Sequence, residues 1–596
     1  MQSAPAGHET LPAMIRRALA RPREDVLVER KNGTWTPISS IELLARVENL
    51  ACAIRDAGLN AGDRVALISV NRIDWIVADF ATLFAGCVVV PVFPTQALDQ
   101  VRFILQNSEA KLVFVDTPKA RERLHSLSQA LPRTLVFDGD GDDSLARFEA
   151  RGAQARAAHP DWPAAFEERL RPDDLAILIY TSGTTGMPKG VMLSHDNLAF
   201  TTKSSFGYAF DRVGSGSVVL SVLPFSHIYE HCILYGYMIA GVRHYITHSA
   251  DELLADLHEV HPEAMTVVPR IFERVLAGIT GKALVAGGLK ARLVPWALAT
   301  GREYMTAKTR GTAHGAGLEL RYRIARALVL KKLRPLLGLD RLAFFVSGSA
   351  PLHFDTAMTF LGFDIVIIEG YGPTECSPVI TVNRFETNRY GTVGKPIPGV
   401  EIRTASDGEI LARGPNVMLG YYKDEAATAD VLQDGWYKTG DVGHIDADGY
   451  LTITDRKKEL FKTSGGKFIS PSRVESAIKR SVYINQVMLV GDGRPHPAAL
   501  IAPNWDLVRA ELHLSAVVPA ADLAGRSDVV AFLTHETHAQ TADLATFEQV
   551  RRIVVLPTDL TVEAGELSPT LKVKRRVVED RYAAEIERAY ATALAH

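Results

Sequence analysis

The chain has few cysteines for its length: Cys52, Cys87, Cys232 and Cys376 are the only four among 596 residues. They are widely separated and form no Cys-x-x-Cys pair, which argues against a disulfide framework and against a zinc site. This usage favours a reducing compartment. Residues 1–22 contain three arginines but no continuous apolar region, so they lack the pattern of a secretory signal.

A membrane-spanning run is also lacking. The longest apolar stretch, from about Trp75 to Pro94, follows Asp74 and contains Asp79 and Pro91. A buried helix followed by a strand accounts for this stretch better than a membrane span does. The formal net charge of −3 argues against nucleic acid as a general partner. We therefore expect a cytoplasmic protein, and the sequence sets no oligomeric state.

Length and the order of apolar segments predict an α/β protein of more than one domain. A chain of 596 residues is too long to fold around a single hydrophobic core. A composition of 47% apolar and 23% charged residues is typical of globular proteins. Short apolar runs alternate with amphipathic segments, which predicts mixed sheets flanked by helices. Residues 399–450, rich in glycine and short strand-like runs, predict a smaller β-rich subdomain. The expected strands include Val65–Ser69, Val88–Val92, Leu112–Val115, Val218–Leu223, Ala343–Val346 and Ile365–Ile368.

The most informative segment, residues 180–195, reads Tyr-Thr-Ser-Gly-Thr-Thr-Gly-Met-Pro-Lys-Gly-Val-Met-Leu-Ser-His and follows the strand-like run Leu175–Ile179. Glycines that free the backbone N–H groups, four hydroxyls and Lys189 together predict a phosphate-binding loop. It differs from the P-loop of kinases and GTPases, because Lys189 precedes Gly190 rather than Ser or Thr. The expected phosphate contacts are Thr181, Ser182, Gly183, Thr184, Thr185, Gly186 and Lys189.

This loop resembles the phosphate-binding signature of the adenylate-forming superfamily, which includes acyl-CoA synthetases, the adenylation domains of peptide synthetases and beetle luciferases. Further motifs of that family follow in the same order. Gly370–Glu375 (Gly-Tyr-Gly-Pro-Thr-Glu) resembles the adenine and magnesium motif, and Tyr437–Asp441 (Tyr-Lys-Thr-Gly-Asp) resembles the ribose motif. Residues 434–458 are similar throughout to the signature of fatty acyl-CoA synthetases. The similarity covers nearly the whole chain, so the resemblance implies the family's fold and its dependence on ATP.

The resemblance also implies roles for individual residues of a large N-terminal domain. Mg²⁺ prefers oxygen ligands and bridges nucleotide phosphates, and its implied ligands are Glu375 and Thr181. Without the motif, Glu375 would be interpreted as a carboxylate favoured by a helix N-terminus. His227 matches a histidine that lines the acyl-adenylate pocket in relatives. The expected adenine and ribose contacts are Gly348, Ser349, Ala350, Tyr371, Gly372, Thr374, Asp441 and Arg456.

A small, mobile C-terminal α+β domain is implied as well. It would pivot at Lys458 after the acyl-adenylate forms, and Gly465 and Gly466 would then border the tunnel for the coenzyme A thiol. The expected division is an N-terminal domain of residues 1–454, a hinge at 455–458 and a C-terminal lid at 459–596.

The adenylation lysine is expected within Leu567–Arg576, although the family pattern Gly-Lys-x-x-Arg lacks its glycine here. Lys572 has Arg575 three residues later, whereas Lys574 has Val577. This spacing favours Lys572 and leaves Lys574 as the alternative.

Together these motifs predict a ligase that uses ATP and Mg²⁺ to activate a long-chain fatty acid and transfers the acyl group to coenzyme A. The alternatives are a ligase for a medium-chain or aromatic acid, or transfer to a carrier-protein thiol. A peptide-synthetase domain would need a downstream carrier domain, and a luciferase-like oxygenase would share the same motifs. A non-catalytic scaffold would need to have lost residues that are present here.

Residues 282–341 contain 13 lysines and arginines against 3 acidic residues, a local net charge of +10. Within them, Arg321–Arg334 has the pattern of a basic amphipathic helix, which favours contact with anionic lipid surfaces. The insertion favours the long-chain group of the family and predicts peripheral contact with the inner face of the membrane. A helix packed on its own domain is the alternative.

Overall fold

The computed structural model describes residues 8–127, 131–181, 187–249, 251–457, 459–568 and 572–591. Strands and helices alternate through these residues, which confirms the predicted α/β class. The strands are β1 (Leu27–Lys31), β2 (Thr34–Ile38), β3 (Arg64–Ile68), β4 (Val88–Val92), β5 (Leu112–Val115), β6 (Arg133–Val136), β7 (Leu175–Thr181), β8 (Lys189–Ser194), β9 (Val218–Ser221), β10 (Arg243–Ile246), β11 (Ala264–Val267), β12 (Phe344–Ser347), β13 (Val366–Tyr371), β14 (Thr381–Val382), β15 (Lys395–Pro396), β16 (Glu401–Thr404), β17 (Glu409–Arg413), β18 (Gly420–Tyr421), β19 (Leu432–Gln433), β20 (Trp436–Ile445), β21 (Leu451–Arg456), β22 (Phe461–Lys462), β23 (Phe468–Ile469), β24 (Ile484–Val490), β25 (Ala498–Pro503) and β26 (Arg552–Val555). The helices are α1 (Leu11–Leu19), α2 (Ser40–Asp56), α3 (Ile73–Phe84), α4 (Leu98–Ser108), α5 (Pro118–His125), α6 (Leu145–Ala158), α7 (Trp162–Glu168), α8 (His195–Ala209), α9 (Ile228–Ala240), α10 (Leu253–Val260), α11 (Pro269–Ala286), α12 (Gly288–Thr309), α13 (Ala316–Ala325), α14 (Lys331–Leu336), α15 (Phe354–Gly362), α16 (Glu425–Val431), α17 (Pro471–Ile478), α18 (Trp505–Glu511), α19 (Ala520–Ala524), α20 (Ser527–Thr541), α21 (Arg575–Arg581) and α22 (Ala583–Ala591).

One large sheet has the strand order β18-β8-β7-β4-β3-β5-β6. Strands β7, β4, β3, β5 and β6 are parallel, whereas β8 runs antiparallel to β7 and β18 antiparallel to β8. The pairing of β7 with β8 places Thr181 opposite Lys189. The glycine-rich segment is therefore closed at its base by a β-hairpin.

The second large sheet has the order β15-β14-β13-β12-β11-β9-β10-β1-β2. Its six central strands, from β13 to β1, are parallel, and antiparallel strands flank them on both sides. Parallel sheets are covered on both faces, which is why their strands are continuous apolar runs in the sequence. The carboxyl ends of β12 and β13 are adjacent, because Ser347 pairs with Glu369.

Helices α3 and α9 are buried on nearly every side and share one core with residues of both large sheets. The predicted helix and strand near Trp75–Pro94 are thus α3 and β4. A buried polar network joins the two helices. Asp79 Oδ1 lies 3.0 Å from His231 Nε2, and Asp79 Oδ2 accepts a hydrogen bond from Tyr235 Oη at 3.0 Å. These partners satisfy a carboxylate that is fully removed from solvent.

The predicted β-rich subdomain corresponds to a five-stranded sheet of order β16-β17-β20-β19, with β21 paired to β20. The C-terminal region has a two-stranded sheet, β22-β23, and a three-stranded sheet, β24-β25-β26, with helices α17 to α22. Its apolar residues form two clusters of their own. A separate core is what an independent domain requires.

The chain divides into two compact units. The first contains the residues through Arg403 together with 411–439 and 445–452, and the second contains 404–410, 440–444 and the residues from Ile453 onward. Strand β21 continues through Arg456, so two of the four expected hinge residues belong to a strand. Lys458 lies outside the described residues, and the position of the hinge stays a prediction.

The basic segment predicted as one amphipathic helix is α13, a π-helical turn at Arg326–Leu330, and α14 in direct succession. Val329, Leu330 and Leu333 are buried, whereas Ile324 and Leu328 are exposed. Its apolar residues therefore face both the core and solvent. Among the described residues, no helix is both long and apolar enough to cross a membrane.

Candidate active site

Lys189 begins strand β8 at the base of the glycine-rich loop. Its Nζ lies 5.0 Å from the centroid of the Tyr421 ring and 3.8 Å from Asp424 Oδ2. Thr181 lies directly across the hairpin. The loop residues between them, Ser182, Gly183, Thr184, Thr185 and Gly186, lie outside the described residues.

Glu375 lies in a 3₁₀ turn, Thr374–Cys376, that follows strand β13. Its Oε1 accepts a hydrogen bond of 2.8 Å from Tyr421 Oη. Its backbone carbonyl accepts from the Met418 N–H, also at 2.8 Å. Glu375 is thus tied to the segment before Tyr421 through its main chain and to Tyr421 through its side chain.

Tyr421 reaches both Lys189 and Glu375 because strand β18 pairs with β8. Tyr421 is opposite Val191, and the N–H of Tyr422 donates to Gly190 O at 2.7 Å. Burial, together with the nearby Glu375 carboxylate, raises the pKa of the Tyr421 phenol, which is therefore a hydrogen-bond donor at neutral pH.

The described residues fit the implied magnesium ion. Glu375 keeps a second carboxylate oxygen beside the one that Tyr421 occupies, and Thr181 supplies a hydroxyl at the end of β7. No group of three or more His, Cys, Asp or Glu side chains in the described part of the chain could hold a metal ion. A site with one carboxylate and one hydroxyl suits an ion that takes its other ligands from phosphates and water.

The turn after β12 contains Gly348, Ser349 and Ala350. A side chain at Gly348 would place its Cβ 3.2 Å from Cζ of Tyr229, so glycine is what allows the tyrosine ring to lie against this backbone. Ser349 has φ of 66°, in the left-handed region that favours glycine. Ala350 is exposed. The turn is the bare backbone surface that the sequence predicts.

Tyr371 ends strand β13, beside that turn, and is half-buried. Gly372 follows it in a tight space, because a Cβ there would lie 2.1 Å from Pro378 O. Thr374 begins the turn that holds Glu375. Glu369 lies two residues before Tyr371, on the same face of β13. Burial raises the pKa of its carboxyl to about 8, so this group carries a proton at neutral pH.

His227 caps the N-terminus of α9, where its Nδ1 accepts a hydrogen bond of 3.1 Å from the Tyr229 N–H. This bond assigns the neutral ring its proton on Nε2. The Tyr229 phenol donates to Val346 O at 3.1 Å. Tyr229 is thus fixed beside the turn that contains Gly348, and His227 caps the helix that carries Tyr229.

In the second unit, Asp441 is buried and its Oδ1 accepts from Arg456 Nε at 3.1 Å. The Arg456 side chain is half exposed. Lys457, next to it, pairs with Asp407 at 2.6 Å and Glu409 at 3.0 Å. The predicted ribose residues therefore contact each other, and a separate ion-pair cluster fixes the chain beside them.

Gly465 and Gly466 lie in the exposed turn between β22 and β23, where Gly466 has φ of 78° and its N–H donates to Thr463 O. Lys572 is exposed, and its N–H donates to Ser568 Oγ at 3.0 Å. Lys574 is half-buried and precedes the first residue of α21.

Two protein-family models match the sequence of the chain. Residues 15–422 match the family described as AMP-binding enzyme, and residues 459–594 match the AMP-binding enzyme C-terminal domain. The chain belongs to the AMP-binding enzyme family. This confirms the resemblance that the motifs carry.

Known AMP-binding enzymes are similar to the chain over nearly its full length. The long-chain-fatty-acid–CoA ligase FadD15 of Mycobacterium bovis is 36% identical, over 98% of this chain and 97% of the relative. The long-chain-fatty-acid–CoA ligase heimdall of Drosophila melanogaster is 32% identical, over 94% and 91%. Among solved structures, the adenylation domain of a carboxylate reductase from Mycobacterium chelonae has a TM-score of 0.76 at 22% identity, over 98% and 92%. That likeness supports the fold.

In this AMP-binding enzyme the structure brings Lys189, Thr181 and Glu375 around the loop base, and Gly348 and Tyr371 onto adjacent strand ends. Motif reading missed Tyr421, which touches two of these residues. Tyr421 is about 230 residues from the loop and has no local signal besides the preceding glycine. Only strand pairing reveals its place.

Proposed function

We propose that the chain is an AMP-forming ligase that activates a long-chain fatty acid as its acyl-adenylate and transfers the acyl group to coenzyme A. The observation that carries the proposal is the grouping of Lys189, Thr181 and Glu375 at the base of a glycine-rich loop. The long-chain acid and coenzyme A are supported by full-length relatives that carry the name long-chain-fatty-acid–CoA ligase.

In the first half-reaction, the substrate carboxylate attacks the α-phosphate of ATP and pyrophosphate leaves. Two anions must approach each other, so positive charge and N–H donors at the phosphates lower the barrier. Lys189 supplies mobile charge at the loop, and Lys572 is the second proposed cation. Mg²⁺, when held by Glu375 and Thr181, would neutralise phosphate charge. His227 would line the acyl side of the site.

In the second half-reaction, the thiol of coenzyme A attacks the acyl-adenylate carbonyl and AMP departs. We infer that the C-terminal domain turns about Lys458 between the steps, which removes Lys572 and brings Gly465 and Gly466 to the thiol path. Asp441 and Arg456 would hold the ribose throughout. Exposure of Gly465, Gly466 and Lys572 supports these roles, because each must meet a ligand.

The decisive experiment measures AMP, pyrophosphate and acyl-CoA together, with acetate, octanoate, palmitate and coumarate as acids. We expect equal amounts of AMP and acyl-CoA, with the highest kcat/KM for palmitate. Preference for acetate or coumarate would overturn the long-chain assignment. Acyl transfer to a phosphopantetheine-bearing carrier protein but not to free coenzyme A would overturn the acceptor.

Peripheral contact with an anionic membrane belongs to the same proposal. Large apolar side chains are exposed along residues 282–341, and Val285 is 90% and Leu289 76% exposed at the turn between α11 and α12. Long-chain acids partition into bilayers, so an enzyme that uses them benefits from a site beside lipid. The other exposed large apolar residues of this stretch are Leu284, Leu320, Ile324, Leu328 and Leu336.

A further inference from the structure

Tyr421 contacts two charged groups of the site with different parts of its side chain. The phenol oxygen donates to Glu375 Oε1 at 2.8 Å, and the ring faces Lys189 Nζ, which lies 5.0 Å from its centroid. One residue thus connects the carboxylate and the ammonium, which come from distant parts of the chain. The motifs assign no role to this tyrosine.

We propose that Tyr421 is a positioning residue that orients the Glu375 carboxylate through its hydroxyl and holds the Lys189 ammonium over its ring. The proposal rests on the proposed function, which gives Glu375 to the metal and Lys189 to the phosphates. It adds that the two groups are positioned by one side chain. Substitution of Tyr421 can therefore separate their contributions.

The backbone around Tyr421 is fixed on both sides. The Tyr421 N–H donates to Thr428 Oγ1 at 2.9 Å, and that hydroxyl donates to Asp424 O at 2.8 Å. Gly420 has φ of 140°, and a Cβ there would lie 2.8 Å from Thr428 Cγ2. Glycine at 420 is thus required for the close approach that sets the direction of the Tyr421 side chain.

The hydroxyl acts on one carboxylate oxygen. A phenol has a single hydrogen, so donation to Glu375 Oε1 commits it. This hydrogen bond limits rotation of the Glu375 carboxylate and leaves Oε2 for another ligand.

The ring acts on Lys189. A cation over an aromatic face is attracted by the negative charge of the π system. Asp424 Oδ2, at 3.8 Å from Lys189 Nζ, is a looser partner, and its Oδ1 is engaged by the Ala427 N–H at 2.9 Å. The Tyr421 ring therefore restricts the volume that the ammonium occupies before a polyphosphate arrives.

The test measures binding rather than turnover. Calorimetric titrations with Mg²⁺–ATP and with ATP in excess chelator are made on wild type, Tyr421→Phe and Tyr421→Leu. Phe keeps the ring and removes the donor, so Mg²⁺–ATP affinity should fall about tenfold while metal-free ATP affinity stays unchanged. Leu also removes the ring and should weaken both affinities. Tyr422→Phe is the matched control, because Tyr422 carries Lys423 over its ring, and should bind as wild type does.

A second measurement tests whether the hydroxyl acts through Glu375. In a Glu375→Gln background, Tyr421→Phe should cause no further loss of Mg²⁺–ATP affinity. Wild-type Mg²⁺–ATP affinity in Tyr421→Phe would overturn the hydroxyl role. Equal metal-free ATP affinity in the Phe and Leu variants would overturn the ring role. Failure of the wild-type protein to form acyl-CoA would instead refute the proposed function. The binding measurements would still test the role of Tyr421, because they do not depend on turnover. Melting temperatures of all variants identify any loss of folding.

Discussion

Arg456 Nε lies 3.1 Å from Oδ1 of Asp441, a buried carboxylate paired with a half-exposed guanidinium. A surface ion pair is worth little by itself, but a buried carboxylate can also accept hydrogen bonds from ligand hydroxyls. Asp441→Ala should raise the KM for ATP about 10- to 100-fold, on the scale of lost hydrogen bonds to a charged group. Steady-state kinetics at saturating acid and coenzyme A measure this.

Asp448→Ala is the matched control. Asp448 accepts from Arg389 at 2.8 Å and is exposed, so its loss should leave the KM for ATP unchanged. An unchanged KM for ATP in the Asp441 variant would show that Asp441 does not contact the nucleotide.

Glu375→Gln keeps the shape of the side chain and removes its charge. Adenylation should slow about a hundredfold or more, because a lost electrostatic stabiliser costs on that scale. Acyl-adenylate formation, followed as pyrophosphate release in a single turnover, measures this. A rate equal to that of wild type would refute the metal assignment.

The two lysines near the C-terminus can be separated by half-reaction. Lys572→Ala should abolish acyl-adenylate formation and leave thioester formation from supplied acyl-adenylate largely intact. Lys574→Ala is the control, since Lys574 is half-buried before α21. If only Lys574→Ala separates the half-reactions, the assignment shifts by two residues. If neither does, this segment has no role in adenylation.

Sequence patterns sufficed where the signal is local. The run Leu175–Ile179 predicts strand β7, because five consecutive apolar residues before a glycine-rich loop suit a buried parallel strand. The turn after β12 was also predictable, because Gly348 and two small residues follow the apolar run Ala343–Val346 and Ser347. Tyr421 was not, because its contacts depend on pairing between β18 and β8, which are far apart in the chain.

The basic segment shows a second limit of local patterns. Arg321 pairs with Glu303 at 3.1 Å, and Arg326 pairs with Asp364 at 2.7 Å. These acidic partners lie on other elements. A helical projection of Arg321–Arg334 therefore includes basic side chains that are already in ion pairs and are not free to contact lipid. The count of basic residues therefore overstates the charge that is available to a lipid surface.

Glu230 makes stability depend on pH. Its carboxyl is fully buried, and burial raises its pKa from 4.5 to about 7, although hydroxyls of Ser221 and Thr266 lower it in part. Because the folded state holds this proton more tightly, the stabilisation is present below pH 4.5 and is lost as pH rises through about 7. Glu230→Gln does not titrate, so its melting temperature relative to wild type should rise by roughly 2–5 °C from pH 5 to pH 8.

Glu29→Gln controls for this prediction. Burial alone would raise the pKa of Glu29, but the His248 ring 3.8 Å away, the hydrogen bond from the Ile73 N–H and the nearby Lys31 lower it to about 2. Because the pKa is lowered, the stabilisation is present above pH 4.5 and is lost only as the pH falls towards 2. The melting temperature of Glu29→Gln relative to wild type should thus stay constant between pH 5 and pH 8. A constant difference for Glu230→Gln as well would refute the raised pKa.

Membrane contact through residues 282–341 is tested by co-sedimentation with vesicles of neutral or anionic lipid. Binding should require anionic lipid and weaken with salt, because each basic residue near the surface contributes about 1 kcal/mol that ions screen. Replacing Arg323, Lys331 and Lys332 with Gln should reduce binding, as should serine at both Val285 and Leu289, which are exposed. Gln at the exposed Arg147, Arg151 and Arg588 is the matched control. Equal sedimentation of all variants would leave this segment as an ordinary protein surface.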